Sequence, residues 1–243
     1  MNGVRSVRPY SRLSLLERNK QLLLENRQLR QQVVLLRGEA RLARIDLLTG
    51  LDNRRGLLDK LSGLIDGAYR HHRSLAVALI DVDHFKIIND RLDHEAGDRA
   101  LKLIAKAIQS VLRPSDVAGR YGGDELAVIL DQSAFGQAFT PLERIRTAVS
   151  QLQVRGEDGK VIPLSISVGF TTLKADPAST WIGEDQIASE RARLLKEADD
   201  ALSLSKRQGR NQVNEYRPDL KTILAALKRT RPEMPAMPDP KKS

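Results

Sequence analysis

The sequence predicts an α+β domain with a mainly antiparallel sheet, preceded by a long coiled-coil helix. Leucines recur every seven residues at Leu15, Leu22, Leu29 and Leu36. Two short β-rich runs, Val117 to Tyr121 and Glu125 to Leu130, flank Gly122-Gly123, a dipeptide suited to a tight hairpin with positive φ. These two strands adjoin as a hairpin and helices interrupt the others at long spacings, which together favour a mainly antiparallel sheet over a doubly wound one.

Taken in order, the N-terminal leucines form the d positions of a heptad, with Asn19, Asn26 and Val33 at a. Glu25 and Glu39 fall at g, five residues before Arg30 and Arg44 at e. This pattern suits a parallel two-stranded coil, in which an a-position Asn lowers stability but fixes register and favours the dimer. A homodimer through residues 13–45 is expected; the competing reading is an amphipathic helix packed on its own domain. A polar joint at Asp46–Arg55 opens the domain, and a helix runs from Gly56 to about Tyr69. Leu75 to Asp81 reads as a strand and Ala96 to Leu112 as a helix, ended by Arg113-Pro114. After the hairpin come a helix through Leu142 to Leu152 and a strand from Leu164 to Thr171 with Ile166 and Val168 on one face. A last helix spans Glu190 to Gln208, with Gly209 as its C-cap. Residues 172–189 read as a loop, and the Pro- and Lys-rich 231–243 as disordered. The expected division is 1–45 coiled coil, 46–216 domain, and 217–243 basic helix and tail.

The chain has 243 residues and a formal charge of +9. Residues 1–45 carry +7 and residues 217–243 carry +4, so the central 171 residues carry −2. A DNA-binding core is disfavoured, and an aromatic content of 4% argues against a single-strand stacking platform. No cysteine is present, which excludes disulfides and thiolate metal sites. The longest apolar run, Leu75 to Ile80, is far too short for a membrane span, and no signal-peptide h-region follows the basic start. A cytoplasmic protein is expected, with no nucleic acid partner and no membrane span.

Candidate chemistry lies at the strand ends. Asp81 and Asp83 share one strand face, and Asp124 and Glu125 stand at the hairpin tip. If the two strands adjoin, one or two of Asp81, Asp124 and Glu125 suffice for Mg²⁺, which takes oxygen ligands and keeps water and phosphate in its shell. On their own, acids beside glycines suit a solvated turn equally well, and Asp81 and Asp83 suit a strand end with a helix N-cap. Lys86, just after Phe85, is placed for a phosphate, although alone it reads as a solvated lysine. Asn89 and Asp98 together can read a guanine edge, while His94 serves equally as a structural cap. Lys206 and Arg210 bracket Gly209 near a helix end, a pattern consistent with phosphate contacts.

Six segments together resemble the GGDEF family of diguanylate cyclases, over roughly residues 46–216 and in the expected order. They are D-x-L-T-G-L-x-N-R-R at Asp46–Arg55, D-x-D-x-F-K-x-x-N-D at Asp81–Asp90, H-x-x-G-D at His94–Asp98, R-Y-G-G-D-E-L at Arg120–Leu126, S-x-S-x-G at Ser165–Gly169, and A-D-x-A-L with K-x-x-G-R-N at Ala198–Asn211. The resemblance implies a palm-like nucleotide-cyclase domain with a five-stranded sheet flanked by helices. It implies condensation of two GTP molecules into cyclic di-GMP and two pyrophosphates, with each domain holding one GTP. By motif position, Asp81, the carbonyl of Val82 and Asp124 hold Mg²⁺, with Mn²⁺ as an alternative. Asp124 also accepts the proton of the attacking 3′-hydroxyl, and Glu125 supports the metal. Asn89 and Asp98 read guanine with His94 and Phe85 beside them, and Lys86, Lys206 and Arg210 neutralise phosphate. Arg113-Pro114-Ser115-Asp116 resembles the family's R-x-x-D inhibitory product site, and Arg144 its second arginine. The plain reading of Arg113 and Asp116 is a helix-terminal salt bridge.

Three positions depart from the family pattern: Leu126 for Phe, Asp93 for Gly, and Ser203 where Tyr is common. Leu126 is expected to affect packing alone, and Asp93 to strain the loop carrying His94 and Asp98. Two rival readings remain. One is a catalytically silent domain that binds cyclic di-GMP and signals through its helix. The other is a basic adaptor using its charged ends and a tail stripe of Leu220, Ile223, Leu224 and Leu227. A sensor or effector protein is the expected further partner.

Overall fold

A computed structural model of the chain describes residues 12–131, 137–156, 159–174 and 183–218. In order the elements are α1 (Arg12–Leu42), β1 (Asp52–Asn53), α2 (Arg54–His71), β2 (Ser74–Val82), α3 (Phe85–Arg91), α4 (His94–Val111), β3 (Val117–Arg120), β4 (Glu125–Asp131), α5 (Phe139–Ser150), β5 (Gln153–Arg155), β6 (Val161–Pro163), β7 (Ile166–Lys174), α6 (Glu184–Arg207) and β8 (Val213–Glu215). The predicted tail stripe and residues 231–243 lie outside the described residues.

The main sheet runs β1-β3-β4-β2-β7-β8, six strands rather than the expected five. Its central four are antiparallel, as predicted. The edge strands β1 and β8 are two and three residues long and pair in parallel with β3 and β7, too short to leave a period in the sequence. β5 and β6 form a separate hairpin.

Strand β2 is buried on both faces, which explains why the longest apolar run of the chain is a strand. Ala76, Ala78 and Ile80 pack with Leu101, Ile104, Ile108, Leu142 and Ile145 of α4 and α5. The alternate residues Leu75, Val77 and Leu79 pack with Leu57, Leu61 and Ile65 of α2 and Leu194 and Leu202 of α6. Each fully buried aliphatic side chain contributes about 1.5–3 kcal/mol. Gly169 on β7 is required by close approach: a Cβ there would stand 1.9 Å from the Leu202 nitrogen and 2.4 Å from the Ala198 carbonyl oxygen. The motifs S-x-S-x-G and A-D-x-A-L thus meet where α6 lies against the sheet.

Several boundaries differ from expectation for local reasons. Asn53 caps α2, accepting from the Gly56 nitrogen at 3.0 Å, so the helix starts at Arg54. The stretch expected to loop at 172–189 is in part regular, since β7 continues to Lys174 and α6 begins at Glu184. Residues 85–91 form a short helix whose one buried residue is Ile88, too few apolar positions for a helical period. Gly122 and Gly123 are not in the positive-φ region. At Gly122 the constraint is proximity instead, because a Cβ would lie 2.6 Å from Glu125 Oε2. Asp93, expected to strain its loop, has φ −178 and ψ 170, extended backbone open to any residue, and its carboxylate caps α4 by accepting from the Ala96 nitrogen. α1 is continuous, and Leu22, Leu29 and Val33 are exposed on it. No helix among the described residues is long and apolar enough to cross a membrane.

Candidate active site

The β2–β4 register sets Asp81 opposite Glu125, and the Val82 nitrogen donates to the Asp124 carbonyl at 3.3 Å. The end of β2 and the hairpin tip are therefore neighbours, the condition on which the three-carboxylate reading depended. Lys206, in the last turn of α6, reaches across with its Nζ 2.6 Å from Asp81 Oδ2. Burial pushes the Asp81 carboxyl above its ordinary value; the Lys206 ammonium pulls it back, and the charges of Asp124 and Asp83 add to the rise. Asp81 is thus a half-buried acid beside other acids, with one lysine in attendance.

This donor set fits a hard divalent cation, because every side-chain ligand offered is a carboxylate oxygen. Among the described residues no group of three His, Cys, Asp or Glu side chains could hold a metal alone. A cation here needs oxygens besides Asp81 and Asp124, supplied by backbone, water or substrate phosphate, as Mg²⁺ habitually does.

The hairpin tip is fixed by its own arginine. Arg120 donates from Nε and Nη2 to the Gly123 carbonyl at 3.1 and 2.8 Å, and its Nη1 lies 3.2 Å from Asp46 Oδ2. The Tyr121 and Gly122 nitrogens both donate to the Glu125 carbonyl, and the Arg54 guanidinium stacks over the Tyr121 ring at 4.8 Å. Leu126 is fully buried opposite Ile80, so its exchange for Phe lies in the core and leaves both acids in place.

A second group lies at the α3–α4 corner. Asn89 Oδ1 is buried without a hydrogen-bond partner among the described residues, a costly state for an amide unless a ligand completes it. A Cβ at Gly97 would stand 2.0 Å from that oxygen and 3.2 Å from Phe85 Cζ, so the glycine admits the amide and the ring together. Asp98 follows on α4, exposed, and His94 is the first residue of that helix. The cap is Asp93, not His94. Lys86 is exposed in the first turn of α3. The α6 C-cap is Gln208 rather than Gly209, which follows it at φ 110, and the Arg210 nitrogen closes the helix end on the Ser205 carbonyl at 3.0 Å. Lys206, expected to be available for phosphate, is engaged by Asp81.

Arg113, Asp116 and Arg144 line one cleft of about 430 Å³, with Val111, Leu130 and Thr140. The salt bridge of the plain reading is not formed between Arg113 and Asp116: Asp116 instead accepts from the Arg113 and Asp131 nitrogens at 2.9 and 3.2 Å. Neither guanidinium of the cleft pairs with an acid among the described residues.

Sequence reasoning missed two features. Asp46 couples to Arg120 across 74 residues, and the buried Asp83 is the acceptor of a network with Ser165, Ser167 and Asn211. The period-2 spacings of D-x-D and S-x-S were the available signal, since each pair must share a face.

The family model of the diguanylate cyclase GGDEF domain matches residues 43–212. This chain belongs to the GGDEF family. It is 35% identical over 176 residues to diguanylate cyclase DosC of Escherichia coli, covering 72% of this chain and 36% of that protein. The chain thus spans little more than a third of that relative's length. Among solved GGDEF structures, the coiled coil and GGDEF domain of DgcB from Caulobacter crescentus, in complex with c-di-GMP, superposes with a TM-score of 0.67 at 31% identity, covering 83% of this chain and 99% of that one. Diguanylate cyclase SiaD of Pseudomonas aeruginosa, in complex with its activator SiaC, gives 0.62 at 34% identity, covering 84% and 76%. The palm-like α+β GGDEF fold read from the sequence is the fold observed.

Proposed function

We propose that the chain is a diguanylate cyclase that condenses two GTP molecules into cyclic di-GMP and two pyrophosphates. The observation that carries this reading is the adjacency of Asp81 and Asp124 across the β2–β4 pair, with Lys206 beside them. Asn89, whose buried oxygen lacks a partner, and Asp98 receive the guanine edge, with Phe85 and His94 flanking it. Lys86, Lys206 and Arg210 meet the triphosphate. Asp81, the Val82 carbonyl and Asp124 would hold Mg²⁺ or Mn²⁺, with Glu125 in support, and the ion would supply neutralisation of the charge developing on the phosphates. Asp124 takes the proton of the 3′-hydroxyl as that oxygen bonds to the α-phosphorus of the facing GTP. The bond from that phosphorus to the bridging oxygen breaks, and pyrophosphate leaves. A second, reciprocal displacement closes the ring.

Two nucleotides must face each other, so two copies are required. Residues 1–45 bring them together in this account, residues 46–216 form the catalytic domain, and 217–243 is an appended basic segment. The exposed Leu22, Leu29 and Val33 on α1, with Asn19 and Asn26 at the preceding a positions, support a parallel pair. The cleft shared by Arg113, Asp116 and Arg144 is the proposed site of product inhibition, its two guanidiniums suited to guanine and phosphate oxygens.

The test compares the wild type with Asp124→Ala for turnover of GTP and for binding of cyclic di-GMP. Turnover lost and binding kept in the variant is expected; a wild type that binds cyclic di-GMP without making it would establish the silent-module alternative.

A further inference from the structure

We propose that Asp83 is a positioning residue for the triphosphate end of the site, acting through Asn211 on Arg210. It rests on the reading of this cleft as a GTP site. Asp83 is 5% exposed and accepts three hydrogen bonds. Ser165 Oγ donates to its Oδ2 at 2.8 Å, Ser167 Oγ to its Oδ1 at 2.7 Å, and the Asn211 nitrogen to Oδ2 at 3.0 Å. The carboxylate therefore joins the end of β2, the start of β7 and the segment after α6.

That last segment is unusual in its backbone. After Gly209 at φ 110, two non-glycine residues in succession, Arg210 at φ 65 and Asn211 at φ 46, occupy the left-handed region. Side chains with a Cβ hold such a conformation only where surrounding contacts impose it. Here the contacts grip Asn211 at both ends: its backbone N–H is held by Asp83, and its Oδ1 accepts from Arg146 Nη1 at 2.8 Å. Arg146 is itself held by Glu143. The Arg210 nitrogen is tied to the Ser205 carbonyl. With both neighbours fixed, the direction in which Arg210 leaves the turn is fixed as well. Asp83 lies two residues beyond Asp81 on the same chain segment, so one buried carboxylate sets the separation between the metal-binding acid and the phosphate-binding arginine. This gives a role to Ser165 and Ser167, whose motif the proposed chemistry otherwise leaves unused.

The experiment is a double-mutant cycle on nucleotide affinity, measured calorimetrically with the full chain, Mg²⁺ and a GTP analogue carrying a methylene between the α and β phosphorus atoms. Arg210→Ala and Asp83→Ala are each expected to weaken binding about tenfold, and the double variant to bind no more weakly than either single one. Asp83→Asn, which retains an acceptor for the Asn211 N–H, is expected to stay within about threefold of the wild type. Should Asp83→Ala fail to fold, the Ser165→Ala/Ser167→Ala pair, which loosens the carboxylate without removing it, is expected to weaken binding in the wild type and not in Arg210→Ala. Losses that multiply in the double variant, or unaltered affinity in Asp83→Ala, would overturn the proposal while leaving the cyclase reading intact. A wild type with no affinity for the analogue would remove both.

Discussion

Arg120 joins Asp46: its guanidinium meets that carboxylate at 3.2 Å while its other nitrogens hold the Gly123 carbonyl. The joint between α1 and the domain is thereby tied to the turn that carries Asp124. A lysine has neither the second nor the third donor in that fixed plane. Arg120→Lys is expected to keep only one of the two partners, at a cost of about 1.5–3 kcal/mol of turn stability, with turnover falling by about tenfold or more and the fold retained. Urea unfolding and initial rates on the same preparation check this.

Asp46 gives that joint a dependence on pH. Burial raises its carboxyl, but the hydrogen bonds from the Thr49 side chain and backbone and the charge of Arg120 outweigh it, so it ends below the ordinary carboxylate value. A lowered folded-state value means that the contribution to stability is fully present above the ordinary carboxylate range and is lost as pH falls through the folded value. The wild type is expected to exceed Asp46→Asn in Tm at neutral pH, with the gap closing on acidification. A gap that is constant with pH would show that Asp46 acts without its charge.

Gly97 is where the α3–α4 corner, the proposed guanine site, is least tolerant. A methyl group there collides with Asn89 Oδ1 and crowds Phe85. Gly97→Ala is expected to raise the KM for GTP more than it lowers kcat, and to cost about 1–3 kcal/mol from the displaced side chains. Steady-state kinetics with a thermal melt distinguish this from general unfolding.

Lys206 and a cation compete for Asp81. The ammonium sits on Asp81 Oδ2, so a metal bound there would have to displace it, whereas a triphosphate would draw the lysine away. Lys206→Met is expected to bind Mn²⁺ more tightly than the wild type without nucleotide, and to lose that advantage when GTP is present. Mn²⁺ binding followed by electron paramagnetic resonance reads both states.

The core elements were legible because their causes are local. Leu101, Ile104, Ala105 and Ile108 announce α4, and the run from Leu75 to Ile80 announces a strand buried on both sides. The edge strands, the α3 turn and the α6 start were not, because two or three residues carry no period and an exposed first helical turn carries no apolar stripe. At the site, motif order gave the acids, the amide and the basic residues, but not the partners they have here. Nothing in the sequence says that Lys206 rests on Asp81, that Asp93 caps α4 without strain, or that Asp116 turns to the Arg113 nitrogen; each depends on a backbone direction or a contact distant in sequence.

The account is tested most directly by incubating fresh, product-stripped protein with GTP and Mg²⁺, identifying the product by mass and counting the pyrophosphate released. Cyclic di-GMP with one pyrophosphate per GTP consumed, absent with Asp124→Ala, is the predicted result. GTP left intact, or converted only to GDP or GMP, would contradict it.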